Sequence, residues 1–128
     1  MRLHKSGEDY LEAILMLEQK NGTVRSLDLA EHMNVSKPSI SNAMKLLREG
    51  GFLTMDDNKL IHLTELGREV AESIYERHVL LTRSLIAIGV DPLLAEQDAC
   101  RIEHDISRET FERLKEHFGP QIEDRDEA

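Results

Sequence analysis

The chain has 128 residues, with 16 basic and 25 acidic side chains, a formal net charge of −9 and one cysteine. That length holds one or two small domains with a modest core. Its apolar runs fall far short of the ~18 residues a membrane span needs, and a lone cysteine leaves no partner for an intrachain disulfide. The residues after Met1, Arg2-Leu3-His4-Lys5-Ser6-Gly7-Glu8-Asp9, lack the hydrophobic region of a signal peptide, so a cytoplasmic protein is expected.

The charge is unevenly spread. Residues 1–62 carry eight Lys/Arg against nine Asp/Glu, and residues 63–128 carry eight against sixteen. Between 36 and 48 lie Lys37, Lys45 and Arg48 and no acid at all. The acidity belongs to the second half, and the net charge does not exclude a nucleic-acid partner for the first.

In chain order, Ser6-Gly7-Glu8-Asp9 predicts a helix start, and Tyr10, Leu11, Ile14, Leu15 and Leu17 form its apolar stripe up to a stop at Asn21-Gly22. Asp9 and Glu12 lie three apart on it. Alone they read as a capping-box acid and a surface charge. Ser26 is the expected cap of a short helix through Met33, and Asn34-Val35 makes a tight turn. Ser36 caps a second helix with Pro38 in its first turn and Ile40, Ala43, Met44 and Leu47 inward, ending at Gly50-Gly51. Two helices joined by so short a turn form a helix-turn-helix. The outer face of the second helix offers Ser36, Lys37, Pro38, Ser39, Ser41, Asn42 and Lys45, suited to base edges and phosphates at a helix N-terminus. Phe52–Met55 and Lys59–Leu63 around Asp56-Asp57-Asn58 predict a hairpin, which after a recognition helix is a wing, with Lys59 as its tip cation.

Thr64-Glu65 caps a helix running to about Ile88, ~36 Å at 1.5 Å per residue, long enough to leave the first domain. His78 interrupts its apolar stripe and needs a polar partner. Asp91-Pro92 starts the next helix, through Leu94, Ala95, Ala99, Ile102 and Ile106. It carries Cys100, Glu103 and His104 at i, i+3 and i+4, so a helix places thiol, carboxylate and imidazole on one face. Such donors suit a first-row divalent metal; a small buried thiol beside a solvated Glu-His pair is the plain alternative. Ser107 caps a last helix with Phe111, Leu114 and Phe118 inward, expected to stop at Gly119-Pro120.

At these residues the chain resembles the diphtheria-toxin-repressor family, above all its short manganese transport regulators. The resemblance covers roughly residues 6–118. It rests on Glu8-Asp9-Tyr10-Leu11-Glu12, Arg77-His78, Ile88-Gly89-Val90-Asp91, and Glu103-His104 followed by Ser107. It implies that Asp9, Glu12, His78, Cys100, Glu103 and His104 ligate one or two Mn²⁺ or Fe²⁺ ions. Cys100 stands where the manganese regulators have glutamate. The iron-responsive members have cysteine there but methionine in place of Asp9, so this chain mixes the two site types. The family further implies a homodimer on double-stranded operator DNA, with metal as corepressor of metal-uptake genes. The apolar face with Leu85, Ala99, Ile102 and Ile106 is a candidate contact between the copies.

The expected fold is mainly α. A winged helix-turn-helix DNA-binding domain (1–63) precedes an all-helical metal-binding and dimerisation domain (64–120, with 64–88 as connecting helix), and an acidic tail (121–128) is expected to be disordered. A third, SH3-like domain is not expected. A winged-helix regulator that ignores metal is the alternative, and it must treat all six candidate ligands as coincidence. No glycine-rich phosphate loop, nucleophile elbow or His-Glu-x-x-His signature supports an enzyme.

Overall fold

The computed structural model describes residues 3 and 5–127, the side chains of 121–127 excepted. In order come α1 (Lys5–Asn21), α2 (Ser26–Met33), α3 (Lys37–Glu49), β1 (Leu53–Met55), β2 (Ile61–Leu63), α4 (Glu65–Ala87), α5 (Pro92–Ile102) and α6 (Arg108–Glu127). The mainly helical expectation and the winged helix-turn-helix hold. Contacts divide the chain into Met1–Ser73 and Ile74–Ala128, each described by itself below.

The first unit is built on apolar burial. Leu11, Ile14, Leu29, Ile40 and Leu53 are buried almost completely around one core, which Met44, Leu47, Phe52 and Ile61 extend. At ~25 cal/mol per Å² of apolar surface removed from water, such side chains supply most of its stability. The turn of the helix-turn-helix closes on Asn34, in the left-handed region at φ 55°, with Val35 N–H donating to Ala30 O at 3.1 Å. Ser36 caps α3 as expected, its hydroxyl accepting from Ser39 N–H at 3.3 Å. Ser26 does not cap α2. Arg25 holds the cap position and its N–H donates to the Asp28 carboxylate at 3.1 Å. Likewise α1 begins at Lys5, so Ser6 lies within the helix.

The strands pair antiparallel, Leu53 with Leu63 and Met55 with Ile61. A contact the sequence reading missed extends this hairpin: Arg25 bridges Leu60, and Ile61 N–H donates to Val24 O at 2.8 Å. The wing is thereby tied to the start of the helix-turn-helix. The first turns of α4 also belong to this unit. Thr64 caps them by accepting from Gly67 N–H at 3.1 Å and donates to Gly51 O at 2.6 Å. A Cβ on Gly67 would lie 1.9 Å from Phe52 O, so only glycine allows this approach. Arg68 adds a 2.8 Å ion pair to Glu18 on α1.

In the second unit, α4 ends in the glycine turn expected of it. Gly89 adopts φ 101° and Val90 N–H donates back to Leu85 O at 3.0 Å. Asp91 caps α5 by accepting from Leu93 N–H at 3.2 Å, and Ser107 caps α6 by accepting from Thr110 N–H at 3.1 Å. Leu80 and Phe111 are buried together, with Ile106, Leu114 and Phe118 against them. Contrary to expectation, α6 passes through Pro120 and its backbone stays helical to Glu127, into the segment expected to be disordered; Ala128 lies outside the described residues. Proline forfeits one helical hydrogen bond and crowds the turn before it, yet the exposed Pro120 does not end the helix.

Candidate metal centre and nucleic-acid interface

The second unit brings together four of the six candidate ligands. His78 projects from α4, Cys100 from the last turn of α5, and Glu103 and His104 from the residues that follow. The shared helical face is only partly realised: α5 ends at Ile102, Glu103 is its C-cap with helical dihedrals, and His104 lies in the turn beyond. Cys100 and Glu103 therefore keep their i, i+3 relation, while His104 is placed by the turn.

His78 finds the partner its position demanded. Its Nδ1 lies 2.9 Å from Glu103 Oε2 and 3.7 Å from Cys100 Sγ. His104 Nε2 lies 3.4 Å from Glu103 Oε1, an ion-pair distance without hydrogen-bond alignment. The Glu103 side chain is 0 % exposed and that of His104 2 %, whereas Cys100 is half-buried. Donor atoms of His78, Cys100 and Glu103 lie within 4.8 Å of one another.

These residues fit a divalent cation. Glu103 Oε1 is a fully buried carboxylate oxygen with no hydrogen bond among the described residues, costly unless something positive meets it. Glu103 also sits at the C-terminal end of α5, where the helix dipole disfavours an anion and favours a cation. An imidazole nitrogen of His78, the sulfur of Cys100 and a carboxylate oxygen of Glu103 converge there. Thiolate with imidazole and carboxylate suits iron and zinc as well as manganese.

The other two candidate ligands lie on α1 in the first unit. Asp9 is half-buried and Glu12 is buried, one helical turn apart. A buried carboxylate on the inner face of α1 is not the solvated surface charge that spacing alone allowed.

In the same unit, Ser36, Lys37, Pro38, Ser39, Ser41, Asn42 and Lys45 are all exposed at the start of α3. Ser36 and Ser39 share a further bond between their hydroxyls at 2.9 Å, so Ser41 and Asn42 are the less engaged hydrogen-bonding groups on that face. Lys59 is exposed at the hairpin tip with φ 63°, a backbone set by Asp56. That carboxylate accepts from Asn58 N–H at 2.9 Å and Leu60 N–H at 3.0 Å and pairs with His62 at 2.8 Å. The His62 bond, then the one from Leu60, holds the Asp56 carboxyl below its usual range. Asp56 is thus a positioning residue for Lys59 that sequence reasoning passed over, although an Asp two residues before Asn in a turn is a recognisable signal.

Of the four residues expected to face a second copy, Ala99 is 0 % exposed and Ile106 packs against Leu80 and Phe111. Ala99 belongs to the interior of its own chain; the helical stripe that suggested it faces inward there. Leu85 and Ile102 are half-buried. The exposed large apolar side chains of this unit are Tyr75, Ile86, Ile88, Leu93 and Leu94.

Two family profiles match, an iron-dependent repressor N-terminal DNA-binding domain over residues 2–60 and an iron-dependent repressor metal-binding and dimerisation domain over residues 64–124. The transcriptional regulator MntR of Salmonella typhimurium is 34% identical over 105 residues, 82% of this chain and 67% of that protein. The uncharacterized HTH-type transcriptional regulator MJ0568 of Methanocaldococcus jannaschii is 34% identical over 115 residues, 88% of this chain and 92% of the other. Among solved structures, the manganese regulator SloR superposes with a TM-score of 0.79 at 28% identity over 93% of this chain, which spans 55% of SloR. With both halves matched in order, the chain belongs to the iron-dependent repressor family of DNA-binding transcriptional regulators.

Proposed function

We propose that this protein is a metal-dependent repressor of metal-uptake genes that responds to Mn²⁺ or Fe²⁺ in the cytoplasm and binds operator DNA as a homodimer. The observation that carries the reading is Glu103, a wholly buried carboxylate with an imidazole on each oxygen and a thiol beside it. Asp9 and Glu12 complete the ligand set from α1. A bound divalent ion supplies the positive charge that lets these carboxylates share one centre.

The chain's own residues do the rest. Cys100, Glu103 and His104 hold the centre to the end of α5, His78 holds it to α4, and Asp9 and Glu12 commit α1, which belongs to the DNA-binding unit. Shared ligation thereby restricts how the recognition helix of one copy is carried relative to that of the other. The N-terminal half of α3 enters the major groove, with Ser41 and Asn42 toward base edges and Lys37, Lys45 and Lys59 on phosphates; Ser36, Pro38 and Ser39 shape its start. Half-sites about one turn apart, ~34 Å, demand one separation of the two units, which a mobile ensemble meets rarely. The dimer contact is the exposed surface of Ile86, Ile88, Leu93 and Leu94 together with Leu85 and Ile102. The functional domains are taken as bounded at 63/64, with α4, whose first turns pack in the first unit, as connector.

Equilibrium dialysis against MnCl₂ and FeCl₂ with elemental analysis tests the ligand set. One or two ions per chain are expected, and none with the Glu103→Gln, His104→Ala double variant. Cys100→Glu, which makes the set all oxygen and nitrogen, is expected to shift preference toward Mn²⁺. Wild-type protein that retains no ion contradicts the reading.

A further inference from the structure

We infer that Arg77 is the positioning residue of the metal centre: its guanidinium clamps the turn that carries Glu103 and His104 and thereby sets how tightly the site binds a divalent cation. The inference rests on the metal-binding reading above. Arg77 is not itself a ligand.

Arg77 precedes His78 on α4. Its Nη1 donates to two main-chain carbonyls at once, Glu103 O at 3.1 Å and Ile106 O at 2.9 Å. Glu103 O belongs to the C-cap of α5, where the last carbonyls of a helix lack intrahelical partners, and Ile106 O to the turn between α5 and α6. A cation suits that end electrostatically. The guanidinium also lies over the Phe111 ring, its carbon 5.3 Å from the centroid, a cation–π contact that holds it from the α6 side. One side chain therefore ties together α4, the turn after α5 and α6, and the turn it holds bears two of the proposed ligands.

Stability alone does not explain this arrangement. Arg77 Nε is buried with no hydrogen bond among the described residues. An apolar side chain at this half-buried position would avoid that cost. What an apolar residue cannot do is fix the backbone of residues 103–106. Ligand donors must be held to within a fraction of an ångström, and groups that orient ligands commonly change metal affinity by about 10–100-fold.

Charge and position make opposite predictions. A positive guanidinium near the site repels a dication, so if charge were its main influence, a neutral variant would bind metal more tightly. If positioning dominates, the same variant binds more weakly. Positioning is expected to win, because the charge is already turned toward two main-chain carbonyls.

The experiment is a competition titration of full-length wild type, Arg77→Gln, Arg77→Lys and Phe111→Leu with MnCl₂, paired with thermal unfolding of each in chelator. Arg77→Gln should lose about 10-fold or more in Mn²⁺ affinity. Arg77→Lys, which keeps charge and donors but not the forked guanidinium, should recover part of the loss. Phe111→Leu, with both carbonyl bonds retained, should lose less than Arg77→Gln. Co²⁺ bound in place of Mn²⁺ should show a thiolate charge-transfer band that is altered in Arg77→Gln. Unchanged or tighter Mn²⁺ binding by folded Arg77→Gln overturns the inference, even if its apo protein unfolds at lower temperature. Should Arg77→Gln fail to fold, Mn²⁺ affinities of Arg77→Lys and Phe111→Leu equal to wild type overturn it instead. Wild type that binds no Mn²⁺ overturns the metal reading itself, a result distinct from either.

Discussion

Of the large side chains buried almost completely among the described residues, Leu11, Ile14, Val24, Leu29, Ile40 and Leu53 belong to the first unit, and Glu103 is the one from the second. The first unit places hydrocarbon at its centre, with Glu12 on α1 as its buried carboxylate. The second buries an ionisable group completely and surrounds it with His78, Cys100 and His104. The DNA-reading unit therefore holds its shape without a ligand. A cation meeting the Glu103 carboxylate would offset the cost of burying it, an arrangement suited to a sensor.

Core truncation breaks the comparison most forcefully. Leu11→Ala should destabilise the first unit by ~2–5 kcal/mol, and Gly67→Ala, which drives a methyl into Phe52 O, by about 3 kcal/mol. Denaturant unfolding followed by circular dichroism measures both. Glu103→Leu should behave oppositely. Replacing a buried ionic group by an apolar one of similar size is often neutral or stabilising by ~1–4 kcal/mol, so the metal-free variant should unfold no earlier than wild type. It should, however, lose the ~2.7 kcal/mol that saturation at 100 times Kd confers on wild type. A metal-free Glu103→Leu that unfolds much earlier would mean that Glu103 is structural.

The first unit was the more legible of the two in sequence, and for the same physical reason. Apolar periodicity reports burial directly, so Ile40, Met44 and Leu47 on α3 and the Phe52–Leu63 hairpin could be placed from spacing alone. Caps with short polar side chains at Ser36, Thr64, Asp91 and Ser107 were equally readable. Where two local preferences competed, spacing chose wrongly: Asp28 recruits Arg25 N–H as cap partner in place of Ser26, and Pro120 does not end α6. Tertiary pairings left no periodic signal. The bridge from Arg25 to Leu60 and the bonds from Arg77 to Glu103 and Ile106 link residues 26 or more apart. The candidate ligands were found by residue type and family resemblance, because a buried polar cluster has no period. Ala99 was misplaced because an apolar stripe shows which face is buried but not whether a second copy does the burying.

Smaller effects sharpen the account of the DNA-reading face. Ser36→Ala removes the cap of α3 and should cost ~1 kcal/mol in thermal unfolding. Lys45→Ala and Lys59→Ala should weaken DNA binding for all sequences alike, each lowering the slope of log K against log salt by about 1. A Lys59 variant with an unchanged slope would remove the wing from the phosphate contacts. The smallest effect concerns Asp56, whose carboxyl is held below its usual 3.8, first by the His62 hydrogen bond. A carboxylate with a lowered folded-state pKa adds stability above its unfolded value and loses it as pH falls through the folded one. Hydrogen exchange at Asn58 and Leu60 should therefore quicken only below about pH 3.8 in wild type, and should already be quick at neutral pH in Asp56→Ala.

The central claim, that metal selects the DNA-competent dimer, is tested most directly by one binding curve measured twice. A duplex selected from a random-sequence pool in MnCl₂ is titrated with the full-length protein by fluorescence anisotropy, once with MnCl₂ and once with chelator. A shift of the ensemble from about 1:99 to 99:1 corresponds to ~5.5 kcal/mol of differential binding, so affinity in MnCl₂ should exceed that in chelator by a factor on the order of 100, the amount by which the competent fraction rises. Equal affinity under the two conditions would contradict the account.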